Sequence, residues 1–252
     1  MDLKRFEEII KQLFTVELLE EFYDDYGFIH ASNQSISKIG YATNISPELI
    51  EQAARHQVDL IITHHDAWDF IYGLRDECIK KLKEYNISHF YIHGPLDFIE
   101  FGTCTSLMNV IEVDHIEQYS FYDNGDKPGI GEFKQPISFS TLVKRMKTNL
   151  NEPVRSWKNN NREVKRIGVL TGAGHATNYI QIAVETNCDT YITGEATLYT
   201  IQYAQFAGIN LIVGSHTFTE IYGVRSLVER LKEFENKVEF IELEEDHFEL
   251  NY

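Results

Sequence analysis

Apolar positions recur along this chain at two spacings, one helical and one strand-like. Phe6, Ile9, Ile10, Leu13 and Phe14 fall on one stripe of a helix over residues 2–20. The carboxylates and glycine of YDDYGF, residues 23–28, break that pattern. SISKIGYAT then reads as a strand, and NISPELIEQAARHQ opens with a cap residue and a first-turn proline, as helices do. VDLIIT, from Val58, is a short β-branched run of the kind buried on both faces of a parallel sheet. Strand, helix and strand in this order make a βαβ unit with a right-handed crossover.

LRDECIKKLKEYNI continues as a helix, HFYIHGPLDF as a strand running into a loop, and TCTSLMNVIEV as a helix. Turn residues crowd Tyr119 to Pro136, which makes that segment the expected joint between two halves, residues 1–125 and 126–252. The second half repeats the alternation. SFSTLVKRMKTNLN, NYIQIAVETNC, LYTIQYAQFAG and FTEIYGVRSLVERLKEF read as helices, and VKRIGVL, CDTYIT, NLIVGSH and VEFIELEED as strands, the last with an acidic tail. The expected fold is α/β, two lobes with mainly parallel sheets.

Composition narrows the function. The formal charge of −16 argues against a broad nucleic-acid surface or attraction to anionic lipid, because both need clustered Lys and Arg. Cys78, Cys104 and Cys188 are far apart, with no CxxC spacing, which suits a reducing compartment. No secretory leader and no apolar stretch long enough for a bilayer is apparent, so the expected location is the cytoplasm.

The chemistry gathers at strand ends. VDLIIT delivers His64 and His65 to its carboxyl end, where α/β folds place ligands. On a regular strand adjacent side chains point to opposite faces, but at a terminus the pleat relaxes and both can turn one way. His216 and Glu220, four apart at the start of the last long helix, share a face, although Ser215 or Thr217 could make this a simple helix cap. Asp97 follows another strand. Three imidazoles and two carboxylates suit a pair of Zn, Fe, Mn, Co or Ni ions better than Ca. LTGAGHATN puts Gly172 and Gly174 between strand and helix; it is either a phosphate cradle or, lacking the P-loop lysine, a tight turn that includes His175. Trp68 and Phe70, just past the histidines, suit core packing or stacking on a base.

IITHHDAWDF, IHGPLDF, KPGIGEF, YITGEA and GSHTFTEIYGV, in this order, resemble the Nif-three-like dinuclear metal-centre family, whose bacterial members are called GTP cyclohydrolase I type 2 homologs. The resemblance runs from the DDYGF segment to the last helix. It implies two interlinked α/β lobes in a toroidal homo-hexamer, with two divalent metal ions per chain held by His64, His65, Asp97, His216 and Glu220. By the same resemblance His93 takes the place of a further site histidine and Glu195 sits near the pocket, which makes both candidate proton-transfer groups. For Glu195 the alternative is a helix-start carboxylate on the backbone dipole, and for His93 a group that orients Asp97. The chain departs from the family at Asp66, where proline is usual, and at Leu198 and Tyr199, where histidines often follow TGE. The expected activity is metal-dependent hydrolysis of a nucleotide or phosphorylated small molecule. The alternative is a metal-binding regulatory or scaffold protein.

Overall fold

The computed structural model describes residues 1–32 and 35–249. In chain order the elements are α1 Leu3–Leu13, α2 Val16–Glu21, β1 Tyr26–His30, β2 Lys38–Ala42, α3 Pro47–Arg55, β3 Leu60–Thr63, α4 Leu74–Tyr85, β4 Ser88–Ile92, α5 Gly94–Asp97 and α6 Thr103–Val110. They continue with β5 His115–Gln118, β6 Phe121–Tyr122, β7 Asp126–Lys127, β8 Gly129–Ile137, α7 Phe139–Leu150, β9 Arg155–Trp157, β10 Val164–Leu170 and α8 Thr177–Glu185. The last are β11 Thr190–Thr193, α9 Leu198–Ala207, β12 Asn210–Val213, α10 His216–Phe234 and β13 Glu239–Glu242.

Packing divides the molecule into two compact α/β units. The first is Met1–Leu96 with Val224–Asp246; the second is Asp97–Gly223 with the described residues from His247 onward. The chain leaves the first unit after Leu96, re-enters it within α10 and leaves it again after Asp246. Tyr119–Pro136, expected from its turn residues as a joint, supplies hairpin β6–β7 and most of strand β8 to the second unit.

The first unit holds a five-stranded sheet in the order β1-β4-β3-β2-β13, parallel except for the β1–β4 edge. β3 is buried along its whole length, as a continuous apolar run in a parallel sheet must be. Ile50, Ile61 and Leu82 pack together in one cluster, and the rings of Phe6, Phe28 and Phe90 meet edge to face in another. The second unit's sheet runs β5-β8-β10-β11-β12-β9, its parallel centre β10–β11–β12 flanked by antiparallel strands. Ile167, Tyr191 and Leu211 fill its core with Leu107, Leu142 and Met146 from helices.

Four local expectations change. The helix over residues 2–20 is two helices, because Thr15 Oγ1 accepts from Leu18 N at 3.2 Å and starts a second one. YDDYGF overlaps edge strand β1, whose residues are all half-buried and so carry no alternation. The loop expected to carry His93 and Asp97 contains the single turn of α5. β8 looks like turn sequence because of Gly129 and Gly131, yet a Cβ at either would meet the end of the Met108 side chain, at 2.9 and 3.0 Å. Glycine there lets α6 lie close against the sheet.

Candidate functional site

In the first unit the site is built where β3 ends. The amides of His64 and His65 both donate to the carbonyl of Thr43, at 3.1 and 2.9 Å. Two consecutive amides turned to one acceptor end the strand's alternation, and the two imidazoles stand side by side with centroids 4.7 Å apart. Both are buried, at 0% and 3% exposure. His93, just past β4, brings a third ring 4.9 Å from His64 and 5.5 Å from His65. One ligating atom from each of the three lies within 4.8 Å of the others.

All three rings are oriented the same way. His64 Nδ1 lies 3.0 Å from the Ile92 carbonyl, His65 Nδ1 2.7 Å from Asn44 Oδ1, and His93 Nδ1 2.8 Å from Asp25 Oδ2. Each partner accepts, so each Nδ1 carries the proton, and in the neutral ring the lone pair is on Nε2. The Asn44 amide is fixed in that sense because its Nδ2 donates to Glu245 at 2.8 Å. Glu245 also accepts from the amides of Thr43 and Asn44, at 2.7 and 2.9 Å. Burial pushes its carboxyl above the usual range, although these three donors pull the other way. Asp25 is in the opposite case. Burial would raise it, but His93 and the Gly94 amide outweigh that and hold it low.

The second unit brings together His216, Glu220, Glu195 and His175. His216 and Glu220 occupy the first turns of α10, with Nε2 3.3 Å from Glu220 Oε2. The other nitrogen, Nδ1, donates to Glu195 Oε1 at 2.7 Å, and the second Glu195 oxygen faces His175 Nδ1 at 3.1 Å. Burial alone would lower the His216 pKa; Glu220 and Glu195 reverse this and push it up to about 11. A proton here sits between two carboxylates, a place equally suited to a metal cation. Glu195 is held below the usual carboxylate range, first by the His216 hydrogen bond against its own burial.

The turn after β10 makes room for this cluster. Gly172 has φ +57°, and a Cβ on it would lie 1.9 Å from Glu220 Oε1 and 2.8 Å from His216 Nε2. Its amide donates to Thr219 Oγ1 at 3.1 Å. The glycine thus serves a carboxylate and an imidazole, which favours the tight-turn reading of LTGAGHATN over the phosphate cradle. Thr171, the preceding residue, donates to Thr103 Oγ1 at 2.8 Å, and Thr103 donates to Asp97 Oδ1 at 2.8 Å. Hydroxyls therefore orient the Asp97 carboxylate. Ser215 does cap α10, its Oγ accepting from Phe218 N at 3.1 Å, so cap and imidazole–carboxylate pair coexist.

The donor set fits borderline divalent cations: buried imidazoles held at Nδ1 by oxygen acceptors, and carboxylates held by hydroxyl or imidazole groups. Sequence reasoning missed Asp25, Asn44 and Glu245. Asp25 lies in the segment read only as a helix break, and the other two are ordinary turn and tail residues until folding brings them to the histidines. Trp68 stacks on Phe70, 5.3 Å apart at 19°, and lies 4.6 Å from the His65 ring. Phe70 is 70% exposed, so it is not a core residue.

Comparison with known proteins agrees with this reading of fold and sequence. The chain belongs to the Duf34/NIF3 (NGG1p interacting factor 3) family, which it matches over residues 1–247. A Haemophilus influenzae protein named GTP cyclohydrolase 1 type 2 homolog is 29% identical over 246 residues, covering 93% of this chain and 97% of its own. A Pyrococcus horikoshii protein of the same name is 31% identical over 217 residues, covering 83% and 85%. Among solved structures, reduced HcgD from Methanocaldococcus jannaschii superposes with a TM-score of 0.80 at 25% identity, over 97% of this chain and 98% of that one.

Proposed function

We propose that this protein holds two divalent transition-metal ions through His64, His65, Asp97, His216 and Glu220, and that it is a hydrolase of nucleotides or related phosphoesters. The observation that carries the reading is the common orientation of His64, His65 and His93, each with Nδ1 on an oxygen acceptor. Metal-ligating histidines are held in this way, because the outer hydrogen bond fixes the tautomer that presents a lone pair. The pairing of His216 with Glu220 on one helix face supports the rest of the set. The name carried by the relatives supports a nucleotide substrate.

Bound divalent ions supply Lewis acidity and make water a nucleophile near neutral pH. The chain's own groups do the remaining work. His93, a third exposed and anchored by Asp25, is oriented to take up and return a proton at Nε2. Glu195 holds the His216 ring through Nδ1 and, with His175 on its other oxygen, offers a path for a proton to leave. The proposed assembly is a homo-hexamer, and the three free, buried thiols support a cytoplasmic setting.

The test is elemental analysis of protein never exposed to a chelator or a nickel column, followed by assay on a panel of nucleotides and phosphoesters. About two divalent ions per chain and turnover are expected, and His65→Ala should lose both with its circular dichroism unchanged. Protein that neither carries nor takes up divalent ions would overturn the proposal. A second reading, a metal-binding scaffold, is favoured by α9, which has no charged residue and exposes Leu198, Tyr199 and Phe206 at 63%, 70% and 87%. Metal-loaded protein that is inert on the whole panel would favour it.

A further inference from the structure

The segment Glu245–Glu249 follows the last strand and reads in sequence as no more than an acidic tail. Its side chains are engaged at each half of the proposed ligand set. In the first unit, Glu245 accepts from Thr43 N, Asn44 N and Asn44 Nδ2, at 2.7, 2.9 and 2.8 Å. Asn44 holds the His65 ring at 2.7 Å, and the Thr43 carbonyl receives the amides of His64 and His65. This one carboxylate therefore fixes the turn that sets both the backbone and one ring of the histidine pair.

In the second unit the same segment closes on the start of α10. Glu249 Oε2 accepts from His216 N at 2.7 Å, and Oε1 from Thr217 N at 2.9 Å. His247 Nδ1 bonds Glu152 Oε2 at 3.0 Å, while Glu152 Oε1 accepts from Ser215 N at 2.8 Å. The His247 ring also stacks on Phe218, centroids 3.9 Å apart at 15°. A helix start usually takes its cap from the residue just before it. The Ser215 hydroxyl takes the Phe218 amide here, and a charged group from 33 residues downstream takes the amide of His216 itself.

We infer that Glu245–Glu249 is a positioning strap for the metal ligands, with Glu245 setting His65 through Asn44, and Glu249 and His247 setting His216 and Glu220 through the first turn of α10. The inference rests on the metal reading proposed above. Its physical basis is that groups behind a ligand fix ring direction and basicity, and losing one typically costs about 10- to 100-fold in metal affinity.

The experiment titrates the full-length apoprotein with Co²⁺ alone, following its visible absorption, for wild type, Glu245→Ala, Glu249→Ala and Glu249→Gln, with the apoprotein melting temperature of each. Each alanine variant is expected to weaken Co²⁺ binding by about tenfold or more and to change the spectrum, with an apoprotein melting temperature close to wild type. Glu249→Gln is expected to recover part of the loss, since its amide oxygen still accepts one of the two N–H groups. Co²⁺ binding by wild type, together with unchanged affinity and spectrum in both alanine variants, would overturn the strap and leave the metal reading standing. So would losses that only track the apoprotein melting temperature, with glutamine no better than alanine. Wild type that binds no Co²⁺ would overturn both.

Discussion

Single residues here act mostly through the one group they hold. His89 is the clearest case. It is fully buried in β4, and its Nε2 meets Thr63 Oγ1 at 2.7 Å while that hydroxyl donates to the His65 carbonyl at 2.6 Å. With its hydrogen already given, Thr63 must accept, so His89 carries a proton on Nε2. Burial, helped by Arg75, pushes its pKa down to about 3. Above the ordinary value near 6.5 both folded and unfolded states are neutral there, and stability is complete. As pH falls from that value towards 3, the unfolded chain binds a proton the folded one refuses, and stability is lost. Between pH 7 and 5 the loss from this residue is about 2 kcal/mol, from roughly 1.5 pH units at 1.36 kcal/mol each. Denaturant unfolding of wild type and His89→Gln at both pH values checks it: the variant's change with pH should be smaller by about that amount.

At the scale of elements, the site depends on what happens where strands stop. β3 gives way to two amides on one carbonyl, and β10 to a left-handed glycine beside α10. Gly172→Ala should therefore act on two levels. The positive φ alone costs about 1–2 kcal/mol for an L residue, and the added methyl, 1.9 Å from Glu220 Oε1, must displace that carboxylate. The expected result is a modest fall in melting temperature with a larger fall in metal affinity, read by thermal unfolding and by titration. Equal, small effects on both would mean that Glu220 is not held against this turn. The elements easiest to read from sequence were those with a strong period or a continuous apolar run, such as α3 and β3. Among the strands missed, β1, β5, β8 and β9 pair antiparallel towards the flanks of the two sheets and are half-exposed or glycine-containing, so they carry neither a clear alternation nor a continuous apolar run.

For the molecule as a whole, the balance of charge and ligand matters most. The formal charge is −16, and carboxylates line both halves of the proposed ligand set. Divalent ions that bind the folded state and not the unfolded chain add RT ln(1 + [L]/Kd), about 2.7 kcal/mol at a concentration 100-fold above Kd. Adding Zn²⁺ or Co²⁺ to chelator-treated protein should raise the melting temperature, increasingly with concentration, and chelation should reverse it. Unchanged melting at any concentration would count against ion binding. No helix among the described residues is long and apolar enough to cross a membrane.

Several things could be read from the chain alone because they are local. Helical and strand periods, the histidine pair at the end of a buried run, and His216 four residues before Glu220 are all set by neighbours in sequence. Asp25 behind His93, Asn44 and Glu245 behind His65, and Glu249 over the start of α10 were decided only by the fold. Each of these contacts joins residues 21 to 201 positions apart, and such a hydrogen bond leaves no period or motif in the sequence. It exists only once sheets and turns have fixed the backbone, which is why the candidate ligands could be picked out from the sequence and the groups that orient their side chains could not.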